Sequence, residues 1–266
     1  MIERIIPITK QKYNKHWYDV WRQIGAVRFD MVIDLRNSIV SRLVRAQKRY
    51  IYGSYVDKQQ HKVIQNASVM KLPQASAPHL WFTDSQKEAA RSLISEGAPV
   101  LAVGPTANWI GKTWAEERFI EIIQWMTDEA GNMAGARVAV FAAPGEEDVA
   151  RRVLATIPTA KQIDVIAKTD PGTAAAALSL CDFYIGNDSG LMHCAAAVGV
   201  PTVGLFGPSY PNVYAPWGDH ASYVSTPQGV GELTAHDGYN SKTCSSLMGS
   251  LTVDMVKEGI QKKLAG

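Results

Sequence analysis

From residue 85 onward, short apolar runs alternate with stretches whose apolar positions recur every three or four residues. Residues 100–103, 137–141, 162–166, 183–185 and 201–206 read as buried strands. Residues 85–95, 115 to about 130, 146–155, 173–180 and the Ala-rich stretch ending at Gly199 read as the helices between them. Strands that alternate with helices predict parallel βαβ units and a doubly wound α/β sheet. Before residue 85 the pattern is weaker. It predicts a helix over 13–24, a strand over 29–35 with Asp34 near its carboxyl end, a helix over 38–47 and a short strand over 49–53. Residues 54–84, with their prolines and scattered polar positions, read as loops leading to an interdomain connection. Residues 218–250 read as irregular, and 252–264 as an amphipathic closing helix. The expected organisation is therefore a partial N-terminal domain at 1–84, a larger domain at 85–250 and a final helix at 251–266.

Composition narrows the class. A hydrophobic content of 46% and a charged content of 20% describe an ordinary soluble protein. A net charge of +2 argues against a broad nucleic-acid footprint. No apolar run approaches the about 18 residues needed to span a bilayer, and the N-terminus carries lysines and aromatics where a signal peptide has its apolar core. Cys181, Cys194 and Cys244 lack metal-ligand spacing and read as reduced thiols, two of them in apolar helical contexts. A cytoplasmic location is the expectation.

In a doubly wound sheet, ligands sit outside the carboxyl ends of the strands, and three loops there carry unusual residues. In the turn after residue 185, Asp188 or Ser189 caps the next helix, but the positions three residues on hold Leu191 and Met192. No capping box claims the first-turn amides, and Gly190 admits close approach to the backbone, so the turn suits an anion. Taken alone it also fits a tight turn with an ordinary cap. The loop from Gly104 to Trp114 contains Gly111-Lys112-Thr113. A phosphate-binding P-loop requires glycine five residues before Gly111, where this chain has Thr106. Direct phosphate contact by Thr106 and Lys112, the latter as a point charge, is the better reading, beside a plain surface lysine. In the third loop, Glu146 and Glu147 open a helix as dipole partners, or one of them accepts hydrogen bonds from a ribose. His193 lies one turn after Ser189 on the same helix face. The flanks of Ser189 do not form a nucleophile elbow, no Gly-x-Gly-x-x-Gly occurs, and no Asp-x-Asp pair offers a divalent-metal site.

Together these motifs resemble the bacterial heptosyltransferases of glycosyltransferase family 9. The resemblance is carried by Asp188-Ser-Gly-Leu-x-His193-x-Ala-Ala-Ala197, Pro201, Phe206-Gly-Pro208, Pro211 and Pro216, with the Lys112-x-Trp114 loop and the late Cys244. It implies a GT-B fold, two Rossmann-like domains with parallel sheets, of which the N-terminal, acceptor-side one is truncated by on the order of 60 residues. It implies an ADP-sugar donor, ADP-heptose above all, and a lipopolysaccharide core or lipid A acceptor. Transfer would invert the anomeric carbon in one displacement with an acidic general base, needing neither metal nor cofactor. A lipid acceptor is also compatible with peripheral contact at the inner membrane. By position, Thr106, Lys112, one of Glu146 and Glu147, Asp188, Ser189, Gly190, Leu191 and His193 would line the donor site. The family's catalytic Asp belongs to an opening strand, Gly-rich turn and helix that the start of this chain does not match. Asp34 and His16 are poor substitutes, and the catalytic residue is left unassigned. Two expectations follow: a glycosyltransferase, or a nucleotide-sugar-binding protein without turnover. An epimerase or phosphorylase on the same fold ranks below both.

Overall fold

Two parallel strands organise the first part of the chain. In the computed structural model, which describes residues 3–235, 239–241 and 243–265, the chain divides into one unit ending at Ser76 and another starting at Ala77. The first unit contains α1 (Lys15–Ile24), β1 (Arg28–Asp34), α2 (Val40–Leu43), β2 (Arg45–Ile51) and α3 (Lys62–Val69). β1 and β2 pair in parallel register from Arg28↔Arg45 to Asp34↔Ile51. Val20, Val40 and Val44 form a small core, with Trp17, Ile24 and Val32 against it. At the end of β1, burial works against the charge on Asp34. Hydrogen bonds from the Arg36 and Ser38 amides and from the Ser38 hydroxyl oppose that burial and hold the carboxyl below its ordinary pKa.

This unit departs from the sequence expectation in two places. The helix expected over 38–47 shrinks to one turn, and the strand expected over 49–53 starts at Arg45. Val44 is already extended, and the Arg49 guanidinium donates to the Ser41 and Val44 carbonyls, tying β2 to the end of α2. Arg45, Ala46 and Gln47, inside the span of the expected helix, therefore lie on a strand. Within the stretch expected to be loop lies α3. Its polar core residue Gln65 is 1% exposed and is satisfied by Tyr52, Lys62 and the Lys58 and Gln60 carbonyls. A buried glutamine with internal partners hides the apolar period that would have announced the helix.

The second unit begins with α4 (Asp84–Leu93), whose N-terminus is closed by a reciprocal capping box between Thr83 and Gln86. There follow β3 (Val100–Gly104), α5 (Glu116–Thr127), β4 (Arg137–Ala142), α6 (Glu147–Ala155), β5 (Gln162–Ile166), α7 (Pro171–Leu178), β6 (Phe183–Asn187) and α8 (Gly190–Ala197). The unit ends with β7 (Thr202–Phe206), α9 (Pro211–Tyr214), β8 (Ala221–Ser225), α10 (Val230–Thr234) and α11 (Val253–Ala265). The six strands β3 to β8 form one parallel sheet in the order β5-β4-β3-β6-β7-β8. β8 and α10 fall in the stretch expected to be irregular. β8 is a half-exposed edge strand, so it lacks the continuous apolar run that marks its neighbours.

Alternation along the strands sorts side chains into two cores. Leu101, Val103, Val138, Val140, Ile185, Val203 and Leu205 face α5, α6 and α11. Val100, Ala102, Ala139, Phe141, Val165 and Tyr184 face α4, α7 and α8. Both faces are dry, which is why β3, β6 and β7 have no exposed residue. The buried phenol of Tyr184 lies across the ends of β3 and β6, where a Cβ at Gly104 or Gly186 would collide with its oxygen. These glycines make room for a ring beneath the functional edge of the sheet. Gly104→Ala should therefore lower unfolding stability by about 1–3 kcal/mol through overpacking. Combining it with Tyr184→Phe, which removes the clashing oxygen, should recover most of the loss in chemical denaturation. Full additivity of the two changes would contradict this contact.

Candidate functional site

From β3 the sheet grows outward through β4 and β5 on one side and through β6, β7 and β8 on the other. The strand order reverses between β3 and β6, and a crevice opens there at the carboxyl edge. The cavity at that edge has a volume of about 860 Å³, within the usual range for a small-molecule site. It is lined from the loops after β3, β4, β5 and β6.

Its polar end is built from the loops after β3 and β6. Asp188, 6% exposed, follows β6, and its Oδ2 lies 2.5 Å from Lys112 Nζ. Its Oδ1 is 3.9 Å from His193 Nε2, an electrostatic contact longer than a hydrogen bond. Lys112 ends a single 3₁₀ turn, Ile110–Lys112, in the loop after β3. Asn187, fully buried, ties that loop to β6. Its Oδ1 accepts from the Trp114 amide at 3.0 Å and its Nδ2 donates to the Pro105 carbonyl at 2.9 Å. Both ends of the Lys112 loop are thus fastened to the residue preceding Asp188. Ser189 is the N-cap of α8, and its side chain makes no cap hydrogen bond. The amides of Gly190, Leu191 and Met192 have no partner within the helix by its geometry. A Cβ on Gly190 would meet nothing within 4 Å. The missing side chain therefore leaves open space beside the cavity and is not demanded by packing. The hydroxyl of Thr106, a residue only 5% exposed that lines the same cavity, is buried without a protein partner. A buried hydroxyl in that state costs on the order of 1–3 kcal/mol unless something polar reaches it. Lys112, the first-turn amides of α8 and Thr106 together present a set of donors of the kind that suits an anion.

The other end is apolar. Phe141, Ala142, Ala143, Pro144, Val165 and Ala174 supply wall from β4, β5 and α7. Cys194 adds to this wall; burial pushes its thiol pKa up, keeping it neutral. The cavity runs along four adjacent strands, β5 to β6, and three spacings of about 4.8 Å give roughly 14 Å from apolar to charged end. That span suits a molecule with a flat apolar group at one end and a phosphate chain at the other.

Of the residues expected from sequence, Thr106, Lys112, Glu146, Asp188, Ser189, Gly190, Leu191 and His193 all line this cavity. Glu147 does not. Its Oε2 accepts from the Gly145 amide at 2.9 Å, and that bond, together with its own amide, holds the carboxyl below its ordinary pKa. It serves the start of α6, while Glu146 at the N-cap has no such duty. The fourth loop, with Thr169, Asp170 and Pro171, was missed, as were Asn108 and Tyr214. Asp170-Pro171 is a helix-start signature following a strand, a signal sufficient to place it on the same edge. Its carboxylate is spent locally on Thr173, Gly172 and Gln86, above all on the Thr173 hydroxyl, which holds it low.

Comparison with known proteins follows the same lines. The family model described as glycosyltransferase family 9 (heptosyltransferase) matches residues 17–234. Among curated proteins, lipopolysaccharide heptosyltransferase 2 of Escherichia coli K12 is 27% identical over 233 residues, covering 83% of this chain and 62% of the relative. The chain thus spans about three fifths of the length of the curated relatives it first matches. Among solved structures, the family 9 glycosyl transferase of Veillonella parvula superposes with a TM-score of 0.74 at 22% identity, covering 94% of this chain and 78% of that one. The E. coli heptosyltransferase solved with ADP gives 0.66 at 21%, covering 94% and 77%. The fold is that of these GT-B enzymes, as the sequence resemblance implied.

Asn187→Leu keeps the branched shape but strands the Trp114 amide and the Pro105 carbonyl. It should cost about 2–4 kcal/mol in denaturant unfolding and should speed amide exchange at Lys112 and Thr113. A loss within about 0.5 kcal/mol, the range of ordinary surface substitutions, would mean that other contacts hold the loop.

Proposed function

Since the chain belongs to glycosyltransferase family 9, we propose that its second unit binds ADP-heptose and that the protein transfers heptose to a lipopolysaccharide core acceptor with inversion. The observation that carries this reading is the convergence of Lys112, the open N-terminus of α8 and the unpartnered Thr106 hydroxyl at one end of a cavity whose other end has mainly apolar walls. The adenine fits the apolar end under the loops after β4 and β5. Glu146, in the loop after β4, accepts from ribose or sugar hydroxyls in this reading. The diphosphate reaches the amides of Gly190, Leu191 and Met192 and the ammonium of Lys112.

Departure of ADP leaves negative charge on the β-phosphate. Fixed donors already aimed at that position stabilise it without reorganisation, which is the effective form of electrostatic catalysis. Among the described residues, Lys112 is the Lys or Arg side chain on the cavity lining. Arrival of phosphate makes Lys112 share its protons between Asp188 and the ligand, so Asp188 orients the ammonium while the substrate is absent. No residue is assigned as general base. Asp34 has its oxygens occupied by Arg36 and Ser38, and the Nδ1 of His16 accepts from the Gln11 amide. This engagement favours, as a second reading, donor binding without turnover.

The lipid acceptor also accounts for a charge imbalance. Residues 1–76 hold fourteen of the chain's 27 Lys and Arg but five of its 25 Asp and Glu. A basic first unit suits peripheral contact with an anionic membrane surface, where each basic residue near the surface contributes about 1 kcal/mol.

Calorimetry with ADP-heptose, followed by a transfer assay onto a core acceptor, tests the main reading. Binding with transfer is expected, with Lys112→Ala weakening the donor by about tenfold or more, the usual scale for a charged hydrogen bond. Binding without transfer leaves the second reading, and no binding by folded protein removes both. Sedimentation with vesicles should show capture by anionic phosphatidylglycerol that fades as salt rises; equal capture by neutral phosphatidylcholine would argue against charge as its basis.

A further inference from the structure

The turn that carries Lys112 is held from outside the sheet by a segment far along the chain. Ser241 and residues 243–251 run beside the loop after β3, with hydrogen bonds to it at several points. The Leu247 amide donates to the Gly111 carbonyl at 3.0 Å. The Ser246 hydroxyl donates to the Thr113 carbonyl at 2.6 Å and accepts from the Met248 amide at 3.1 Å. The carbonyls on both sides of Lys112 are therefore fixed by two consecutive residues. The Trp109 indole lies against Gly111, where a Cβ would meet its ring at 2.6 Å, and its Nε1 donates to the Ser241 carbonyl at 2.7 Å. Farther along, Trp114 Nε1 donates to the Leu251 carbonyl at 2.8 Å, and Arg118 donates to the Gly249 and Leu251 carbonyls.

None of these side chains is on the cavity lining. They act on the one lining residue whose ammonium must meet a phosphate. Asn187 fixes the two ends of the loop, and Ser241, Ser246 and Leu247 fix its tip. A lysine side chain has four rotatable bonds, so a defined position for its ammonium starts from a defined backbone.

We propose that Ser246 and Trp109 are positioning residues for the donor's diphosphate, acting through the backbone of Lys112 and not through the ligand. The inference rests on the reading of this cavity as a nucleotide-diphosphate site. Loss of one such hydrogen bond weakens only the interaction made by Lys112, so the effect belongs to phosphate and not to the base.

Calorimetry on the full chain with ADP and with adenosine tests it. Ser246→Ala should weaken ADP about five- to tenfold, the scale of one neutral hydrogen bond, and leave adenosine within about twofold. Ser246→Thr, which keeps the hydroxyl, should restore ADP affinity. In a Lys112→Ala background, Ser246→Ala should change ADP affinity by less than about twofold, because the group it positions is gone. Trp109→Phe, which keeps an aromatic side chain but loses the indole donor, should follow the same pattern and decides the matter if Ser246→Ala does not fold. Equal weakening of ADP and adenosine, or the same loss with and without Lys112, would make the segment a general structural support and overturn the proposal. So would unchanged ADP affinity in both variants. Failure of the wild-type chain to bind ADP would instead remove the nucleotide reading on which the proposal stands, and the proposal with it.

Discussion

Asp188 is a nearly buried carboxylate at the one place where the sheet reverses its strand order, and its charge is met by Lys112 at 2.5 Å. Removing such a charge from water costs several kcal/mol even after relaxation, and an ion pair repays it only with good geometry. The ammonium must therefore be delivered accurately, from a loop on a different strand. Asn187, adjacent in sequence to the carboxylate, secures both ends of that loop with two buried hydrogen bonds. On that balance the pair is weak evidence for stability, which fits the reading of Lys112 proposed above.

That arrangement depends in turn on a sheet with no wet face. Strands buried on both sides leave their carboxyl ends as the region where polar chemistry is affordable. Two independent cores, one under α5, α6 and α11 and one under α4, α7 and α8, hold the strands in a fixed register. The ring of Tyr184, set across Gly104 and Gly186, packs the layer directly beneath the crevice. A rigid floor and a tied loop place groups from β3 and β6 within hydrogen-bond reach of each other.

Much of this was legible in the sequence because the second unit obeys simple periods. Its central strands are unbroken apolar runs, its helices are amphipathic or Ala-rich, and the rule that ligands sit at the carboxyl edge brought Thr106, Lys112, Glu146 and the Asp188 turn together. What stayed hidden has physical causes. β2 is rich in Arg, Lys and Gln, which suit a helix face, and becomes a strand only through pairing with β1. α3 is masked by Gln65, a polar side chain that is core because its partners are internal. β8 is an edge strand with little apolar contrast. Glu147 could not be separated from Glu146 by type, since the difference is a hydrogen bond to the Gly145 amide. The contacts of Ser241 and residues 246–251 with that loop are invisible to any periodicity, because they run mainly through backbone carbonyls and amides that every residue owns.

The double tethering of the Lys112 loop also bears on when conformational entropy is lost. A mobile loop that closes over a ligand spends part of each binding event on its own ordering, of the order of 1–2 kcal/mol for every residue whose backbone becomes fixed. Here the tip and both ends are already committed in the folded chain, so that ordering occurs once, during folding. Ligand association then has little left to immobilise beyond the Lys112 side chain and the ligand itself. The Lys112 loop therefore stands preorganised for the donor binding proposed above.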